Sequence, residues 1–200
     1  MIEGSDVSRE TIERLEHFAT LLIKWNPKIN LVSKASLENL WERHIRDSVQ
    51  VAQIALGARG HLVDLGSGGG FPGVVLAIMR DEIGLDKVTL IESDQRKCAF
   101  LRSALRETGA SAEIISQRIE LSPPQSADLV SARALADLAA LLGHAERHLA
   151  PTGLCLFPKG RSWEKEVAEA REQWHFEHEA IPSKTEAGAV ILRIGEIKRV

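Results

Sequence analysis

The chain has 200 residues, of which 44% are hydrophobic, and this is sufficient for one globular domain with a substantial core. The longest unbroken apolar run, residues 74–79, is far too short to cross a bilayer, and the N-terminus lacks a charged-then-apolar signal pattern, so we expect a cytoplasmic protein. The formal net charge of -3 excludes a global attraction to polyanions, so any nucleic acid would have to be held by local positive patches.

The N-terminal part of the sequence has the spacing of helices. Apolar residues recur at helical intervals over 12–23, after a possible cap at Ser8. The tripeptide 25–27 ends in proline and predicts the end of this first helix. A second helical region is predicted over 36–56. We therefore expect residues 1–59 to form a helical cap on the remainder of the chain.

From residue 60 onward, apolar strands alternate with helical stretches, a pattern typical of a parallel sheet covered on both faces. The predicted strands are 61–65, 87–91, 112–115, 127–132 and 153–157. The predicted helices between and after them are 73–81, 95–108, 134–149 and 162–172. The last two strand-like runs, 174–181 and 189–194, have no helix between them and predict a terminal hairpin. The expected fold is α/β, a Rossmann-like, mostly parallel seven-stranded sheet with a C-terminal hairpin, as in class I methyltransferases, over residues 60–200.

The two cysteines carry no sign of a metal centre or a disulfide framework. Cys98 falls in a predicted helix and Cys155 within an apolar strand, and their spacing fits neither kind of site. We expect both in the hydrophobic core, and no metal.

The most informative segment is 63–73, which predicts a strand, a glycine turn and the start of a helix. Glycines allow a sharp turn and a close approach of the backbone to a ligand. About 20 residues further on, the next strand ends in Glu92, and an acid at that place can accept hydrogen bonds from both hydroxyls of a ribose. Together these features predict a site for a nucleoside-containing cofactor.

Two cofactors fit this pattern. Gly68, Gly70 and Gly73 match the GxGxxG spacing of dinucleotide sites, so an NAD-dependent oxidoreductase is one alternative. Asp64 favours the other, because a carboxylate at the end of the first strand repels a pyrophosphate and attracts a cationic or amine-bearing ligand. S-adenosylmethionine carries both an ammonium and a sulfonium group. The glycine segment therefore favours S-adenosylmethionine, with Asp64 and Gly68 among its contacts.

Positive side chains follow three of the predicted strands. In a parallel sheet, ligands bind beyond the carboxyl ends of the strands, so these cations are expected at the rim of the cofactor site. They are free for an anionic substrate, with phosphate the obvious candidate. A second excess of positive charge lies in the helical cap, between Lys24 and Arg46. The rim cations are Arg118, Arg133, Lys159 and Arg161.

Several segments, taken together and in order, resemble the bacterial 16S ribosomal RNA guanine-N7 methyltransferases, formerly called glucose-inhibited division protein B. The similarity covers the chain from about residue 22 to 160. The segments that carry it are 30–31, 43–48, 64–73, 131–134 and 158–160.

The resemblance implies roles for particular residues. Gly66 and Phe71 would line the methionine and adenosine portion of the cofactor site, and Ile119 and Glu120 would flank the adenine. Glu92 would hold the ribose, in agreement with the interpretation from the residues themselves.

On the substrate side, the resemblance places Arg133 between cofactor and substrate, as the residue expected to act in catalysis. Contacts to RNA are expected from Lys28, Lys159, Arg161 and His44, although packing between cap and sheet explains His44 equally well, and the role of Asp47 stays open.

The implied reaction is methylation of guanine-N7 in the decoding-region loop of 16S ribosomal RNA, either naked or within the small subunit, by a monomer. Guanine-N7 has an available lone pair, so no general base is required, and the sequence lacks the motifs that other nucleic-acid methyltransferases use on amines or pyrimidine carbons. Methylation of a small metabolite, NAD-dependent oxidation and a non-catalytic role in ribosome assembly are the alternatives.

Overall fold

A computed structural model describes residues 7–200. Its helices are α1 (Arg9–Ile29), α2 (Lys34–Glu38), α3 (Asp47–Ile54), α4 (Gly73–Ile78), α5 (Arg80–Ile83), α6 (Gln95–Thr108), α7 (Leu138–His148) and α8 (Trp163–Ala170). Its strands are β1 (His61–Leu65), β2 (Lys87–Ile91), β3 (Glu113–Ile115), β4 (Ala127–Ala132), β5 (Leu149–Lys159), β6 (Trp174–Pro182) and β7 (Val190–Arg199). A π-helical turn spans Trp41–Arg46, and a 3-10 turn spans Ile119–Leu121.

The seven strands form one sheet in the order β3-β2-β1-β4-β5-β7-β6. The first five run parallel, and β7 pairs antiparallel with both β5 and β6. This topology confirms the predicted parallel sheet with its terminal hairpin. The strand order reverses beside β1, between β1 and β4, which is where ligands bind in open α/β sheets.

Each face of the sheet has its own hydrophobic core. On one face α1, α3, α4 and α6 pack together, with Phe18 and Phe100 fully buried between them. On the other face α7 and α8 cover β4, β5 and the hairpin. Both cysteines are fully buried, as expected. The N-terminal helices thus share one core with the sheet, and a domain boundary at residue 60 stays a prediction.

The first helix does not end at the tripeptide 25–27, as the sequence predicts, but continues to Ile29 with Pro27 inside it. Because proline has no backbone N–H, Pro27 removes one hydrogen bond from the last turn of α1. Asn26 offsets it, because its carbonyl accepts from the Asn30 amide at 2.9 Å and its side-chain oxygen accepts from the Val32 amide at 2.9 Å.

The second predicted helical region, 36–56, is also divided. The π-helical turn interrupts it before α3, and such turns are frequent at functional sites. Two later boundaries differ as well. The predicted helix 73–81 separates into α4 and α5 at Met79. The predicted helix 134–149 starts only at Leu138, because Ala134 has a positive φ of 50° and the Asp137 side chain caps the helix.

Along residues 7–200, no helix has the length and apolar character that a membrane crossing requires.

The packing of α1 leads to a first prediction. The Phe18 ring lies 5.3 Å from the Phe71 ring and 6.2 Å from the Phe100 ring, centroid to centroid. We expect Phe18→Ala to lower the free energy of unfolding by about 3–5 kcal/mol, measured by urea denaturation. Ile23→Ala, on the exposed face of the same helix, should change it by no more than about 0.5 kcal/mol. Equal urea midpoints of unfolding for the two variants would contradict the placement of Phe18 in the core.

Candidate active site at the carboxyl ends of the strands

The loop that joins β1 to α4 holds its backbone in conformations that favour glycine. Gly66 and Gly68 have positive φ angles of 65° and 51°. A Cβ atom on Gly66 would lie 2.7 Å from a terminal methyl of the exposed Leu135 side chain, which can move, so the positive φ is the main reason for glycine there. A Cβ atom on Gly68 would meet nothing closer than a backbone oxygen at 3.6 Å. The space in front of Gly68 is therefore left open to a ligand.

Glu92 fixes this loop to the neighbouring strand. One carboxylate oxygen accepts a hydrogen bond from the Gly68 amide at 2.8 Å, and the other accepts one from the Asp94 amide at 2.8 Å. Only 8% of Glu92 is exposed, so it is far less accessible than the tip of a strand suggests. Each oxygen keeps a second acceptor site for a ligand hydroxyl. Glu92 can thus shape the loop and bind a ribose at the same time.

A pocket of ≈ 310 Å³, here called the cofactor pocket, opens beside this loop. Its walls combine backbone from the glycines, apolar side chains, two acids and the cations Lys97 and Arg118. Such walls suit a ligand with an apolar ring, hydroxyls and charges of both signs. The residues present fit S-adenosylmethionine, because the open space at Gly68 adjoins a carboxylate and an apolar surface. The walls include Gly66, Gly68, Ile91, Glu92, Ile119 and Glu120.

Three residues with predicted cofactor contacts lie outside these walls: Asp64, Phe71 and Arg133. Asp64 is fully buried, and its Oδ1 atom accepts a hydrogen bond from Ser131 Oγ at 2.7 Å, while Oδ2 has no partner within residues 7–200. Burial raises the pKa of Asp64 to about 6, even though the Ser131 and Ser67 hydroxyls lower it. Phe71 is 7% exposed and packs between Phe18 and His44. Asp64 and Phe71 support the glycine loop from behind, and direct contact with a cofactor stays a prediction for all three residues.

Arg133, at the end of β4, joins the sheet to the N-terminal helices. Its guanidinium donates to the Arg43 carbonyl at 2.6 Å, donates to His44 Nδ1, and lies 3.5 Å from an Asp47 carboxylate oxygen. Burial, followed by the charges of Arg133 and Arg43, lowers the pKa of His44 to about 3. His44 is therefore neutral near pH 7 and can accept the hydrogen bond from Arg133. This contact makes His44 a partner of the predicted catalytic residue.

Asp47 connects the same junction to the C-terminal hairpin. Its Oδ1 atom accepts a hydrogen bond from Thr185 Oγ1 at 3.3 Å, and burial raises the pKa of Asp47 although Arg133 lowers it. The hairpin loop is further fixed by Gln50, which donates to the Pro182 carbonyl at 2.8 Å and accepts from the Lys184 amide at 2.8 Å. Sequence reasoning missed this loop, because no local pattern indicates that it meets residues over 130 positions earlier in the chain.

A second pocket of ≈ 460 Å³, here called the substrate pocket, lies between Arg133, β5 and the hairpin loop. Ala134 belongs to the walls of both pockets, so the two spaces adjoin. The substrate pocket carries both signs of charge, a combination that can bind a polar, partly anionic ligand. Its charged wall residues are Arg43, Asp47, Arg133, Lys159, Glu166 and Glu186.

The remaining predicted substrate residues differ in how free their charges are. Lys159 has an 8% exposed side chain, pairs with Glu166 at 2.7 Å and donates to the Ala136 carbonyl. Arg161 has a 74% exposed side chain, and its Nε atom donates a hydrogen bond to the Ala187 carbonyl. Lys28 is exposed on the last turn of α1. Arg161 and Lys28 therefore have charges accessible to a large anion, whereas Lys159 is neutralised within the protein.

The geometry of Glu92 leads to a prediction for cofactor affinity. Glu92→Gln keeps the shape of the side chain but opposes one of the two backbone donors with an amide N–H. We expect the affinity for S-adenosylhomocysteine, measured by calorimetric titration, to fall by about 1.5–3 kcal/mol. Glu113→Gln is the matched control, since this exposed acid at the start of β3 pairs, within residues 7–200, only with Lys87 of β2. Unchanged affinity in Glu92→Gln would remove Glu92 from the cofactor site.

Comparisons with solved structures agree on the fold. A ribosomal protein L11 methylase from Lactobacillus delbrueckii subsp. bulgaricus aligns with a TM-score of 0.60 and 17% identity, over 76% of this chain and 78% of its own. A SAM dependent methyltransferase from Aquifex aeolicus aligns with a TM-score of 0.60 and 14% identity, over 88% of this chain and 97% of its own. At these identities the likeness shows a class I methyltransferase fold.

Comparisons with curated sequences are more specific. The ribosomal RNA small subunit methyltransferase G of Ruegeria sp. (strain TM1040) is 57% identical over 98% of this chain and 95% of its own length. The protein of the same name from Gluconobacter oxydans (strain 621H) is 51% identical over 97% of this chain and 98% of its own length. The family model GidB, rRNA small subunit methyltransferase G, matches residues 11–191. With nearly the whole chain matched, this protein belongs to the GidB family of small-subunit ribosomal RNA methyltransferases.

Proposed function

We propose that this protein transfers a methyl group from S-adenosylmethionine to N7 of a guanine in the decoding-region loop of 16S ribosomal RNA. The observation that carries the proposal is the junction of the two pockets at Ala134, with Arg133 beside it. A donor in the cofactor pocket and a base in the substrate pocket would be neighbours. Membership of the GidB family supports the methyl donor and the ribosomal substrate, and it sets aside the NAD-dependent oxidoreductase.

Each part of the cofactor pocket has a task in this proposal. Glu92 and the open backbone at Gly68 hold the ribose and the chain of the donor, while Ile91 and Ile119 provide an apolar surface for the adenine. S-adenosylmethionine supplies a methyl group bonded to a positively charged sulfur. Buried Asp64 sits behind the loop and favours positive charge in front of it.

The substrate pocket meets the needs of an N7 reaction. The N7 lone pair is available without loss of a proton, so catalysis depends on position and on electrostatics. Positive charge moves from the donor to the purine during transfer, and carboxylates in the pocket stabilise it there. Arg133 cannot act as a base, because its guanidinium stays protonated even though burial lowers its pKa. Its proposed role is to hold donor and base in line.

Contacts with the RNA backbone are assigned to the exposed cations outside the pockets. Lys28 and Arg161 are the clearest of these among the predicted residues. Because both pockets are built from one chain, a monomer is the proposed working unit, acting in the cytoplasm where ribosomal subunits are assembled.

The decisive experiment is incubation of the protein with tritiated S-adenosylmethionine and small ribosomal subunits, followed by digestion of the RNA. Label in 7-methylguanosine at a single position supports the proposal. Naked 16S RNA and assembled subunits, assayed in parallel, identify the form of the substrate. Absence of label in RNA, with label transferred to small molecules of a cell extract, would favour a small-metabolite methyltransferase. Cofactor binding without any transfer would favour a non-catalytic assembly factor.

The position of Arg133 leads to a prediction for activity. We expect Arg133→Ala to lower methyl transfer to small subunits at least about tenfold, equivalent to about 1.4 kcal/mol of transition-state stabilisation. Arg193→Ala, which removes an exposed arginine that pairs with Glu179 on the hairpin, is the control and should keep full activity. Circular dichroism and binding of S-adenosylhomocysteine verify that each variant is folded. Full activity of Arg133→Ala at subsaturating RNA would place the reaction elsewhere.

Lys28 should behave differently from Arg133. We expect Lys28→Ala to weaken RNA binding, to reduce the slope of log affinity against log salt by about 0.7–0.9, and to leave cofactor affinity unchanged. The measurement is a titration of RNA at several salt concentrations. An unchanged slope would exclude Lys28 from the RNA contact surface.

A further inference from the structure

The substrate pocket contains three carboxylates, and they differ in what already binds them. Asp47 faces Arg133 and Thr185, and Glu166 accepts from Lys159 at 2.7 Å and from Ser162 at 3.3 Å. The carboxylate of Glu186 accepts no hydrogen bond from any residue of the described chain, 7–200. Its nearest cations are Arg43, at 3.6 Å, and Arg161, at 4.0 Å. Glu186 thus has its charge compensated while its acceptor sites remain free.

The backbone that carries Glu186 is well supported. The Ser183 hydroxyl accepts from the amides of Thr185 and Glu186, at 3.1 Å and 3.2 Å, and the Glu186 carbonyl accepts from the Ala189 amide at 3.1 Å. Gln50 fixes the same loop from α3 through two hydrogen bonds. The carboxylate therefore stands on a fixed turn at the wall of the pocket.

The chemistry of an N7 reaction restricts how the base can be recognised. Arginine commonly reads guanine through N7 and O6, but this contact would cover the atom that must accept the methyl group. The opposite edge presents N1–H and the 2-amino group as adjacent donors, which one carboxylate can accept together. Adenine has an acceptor at N1 and no 2-amino group, so a carboxylate would leave its own oxygens unpaired against it.

We propose that Glu186 selects guanine in the substrate pocket by accepting hydrogen bonds from N1–H and the 2-amino group, which leaves N7 free to face the cofactor pocket. This inference rests on the proposed function and adds the residue that determines which base is methylated. A flipped base read along this edge also agrees with how enzymes that modify bases recognise them.

The experiment pairs a change in the protein with a change in the RNA. Small subunits are reconstituted with guanosine or inosine at the position that the wild-type protein methylates, since inosine lacks only the 2-amino group. Wild-type protein should lose at least about tenfold in kcat/KM on inosine. Glu186→Gln should lose at least as large a factor on guanosine but a smaller factor on inosine, because the contact with the 2-amino group is already missing from inosine whereas the contact with N1–H remains.

Two controls distinguish a loss of base recognition from a general effect on the hairpin and from a loss of cofactor binding. Glu179→Gln, on β6 of the same hairpin, should match the wild type on both substrates. Glu186→Gln should bind S-adenosylhomocysteine normally, because Glu186 is not part of the cofactor pocket. If the variant fails to fold, the comparison of guanosine and inosine with wild-type protein still decides whether the 2-amino group is read.

Three results would overturn the inference. The first is an equal wild-type rate on guanosine and inosine, and the second is full activity of Glu186→Gln. The third is a loss for Glu186→Gln on inosine that equals the product of the losses measured for each change alone. Each of these requires an active wild-type enzyme. No transfer by wild-type protein to guanosine subunits is a different failure, which would overturn the proposed function itself.

Discussion

The site depends on the accommodation of one largely buried cation, Arg133. A guanidinium that is removed from water must be paired and hydrogen-bonded, because burying it without partners costs several kcal/mol of folding free energy. Here the partners come from Arg43, His44 and Asp47, all far away in sequence. The requirement is reciprocal, because a protonated His44 would repel Arg133, and its low pKa keeps it an acceptor. The position of Arg133 therefore depends on the packing of the N-terminal helices against the sheet, because those helices supply its partners.

The same edge of the sheet organises both pockets. Parallel strands bring their carboxyl ends together, so the loop after β1, Glu92 after β2 and Arg133 after β4 become neighbours. Glu92 connects the first two through backbone amides, and Arg133 connects the third to the helical cap. A ligand thus meets a surface whose polar groups are already oriented, which reduces the cost of ordering them on binding.

Charge compensation separates structural ions from those available to ligands. Lys159 and Glu166 satisfy each other within the pocket wall, so a rim lysine that looks free in the sequence has a partner in the fold. Arg161 and Lys28 remain accessible, and Glu186 keeps unoccupied acceptors between two arginines. A protein with a net charge of -3 can therefore still present local groups for RNA.

The sequence by itself determined the parallel sheet, its hairpin and the glycine loop, because strand and turn patterns are local and the βαβ rhythm restricts the topology. It also placed Glu92 and Arg133 at strand ends. The tertiary structure decided the rest. Continuation of α1 past Pro27 depends on hydrogen bonds of Asn26, the inward position of Asp64 depends on Ser131, and Glu186 reaches the pocket only because the hairpin loop contacts α3. These contacts join residues that are distant in the chain, and no local spacing encodes them.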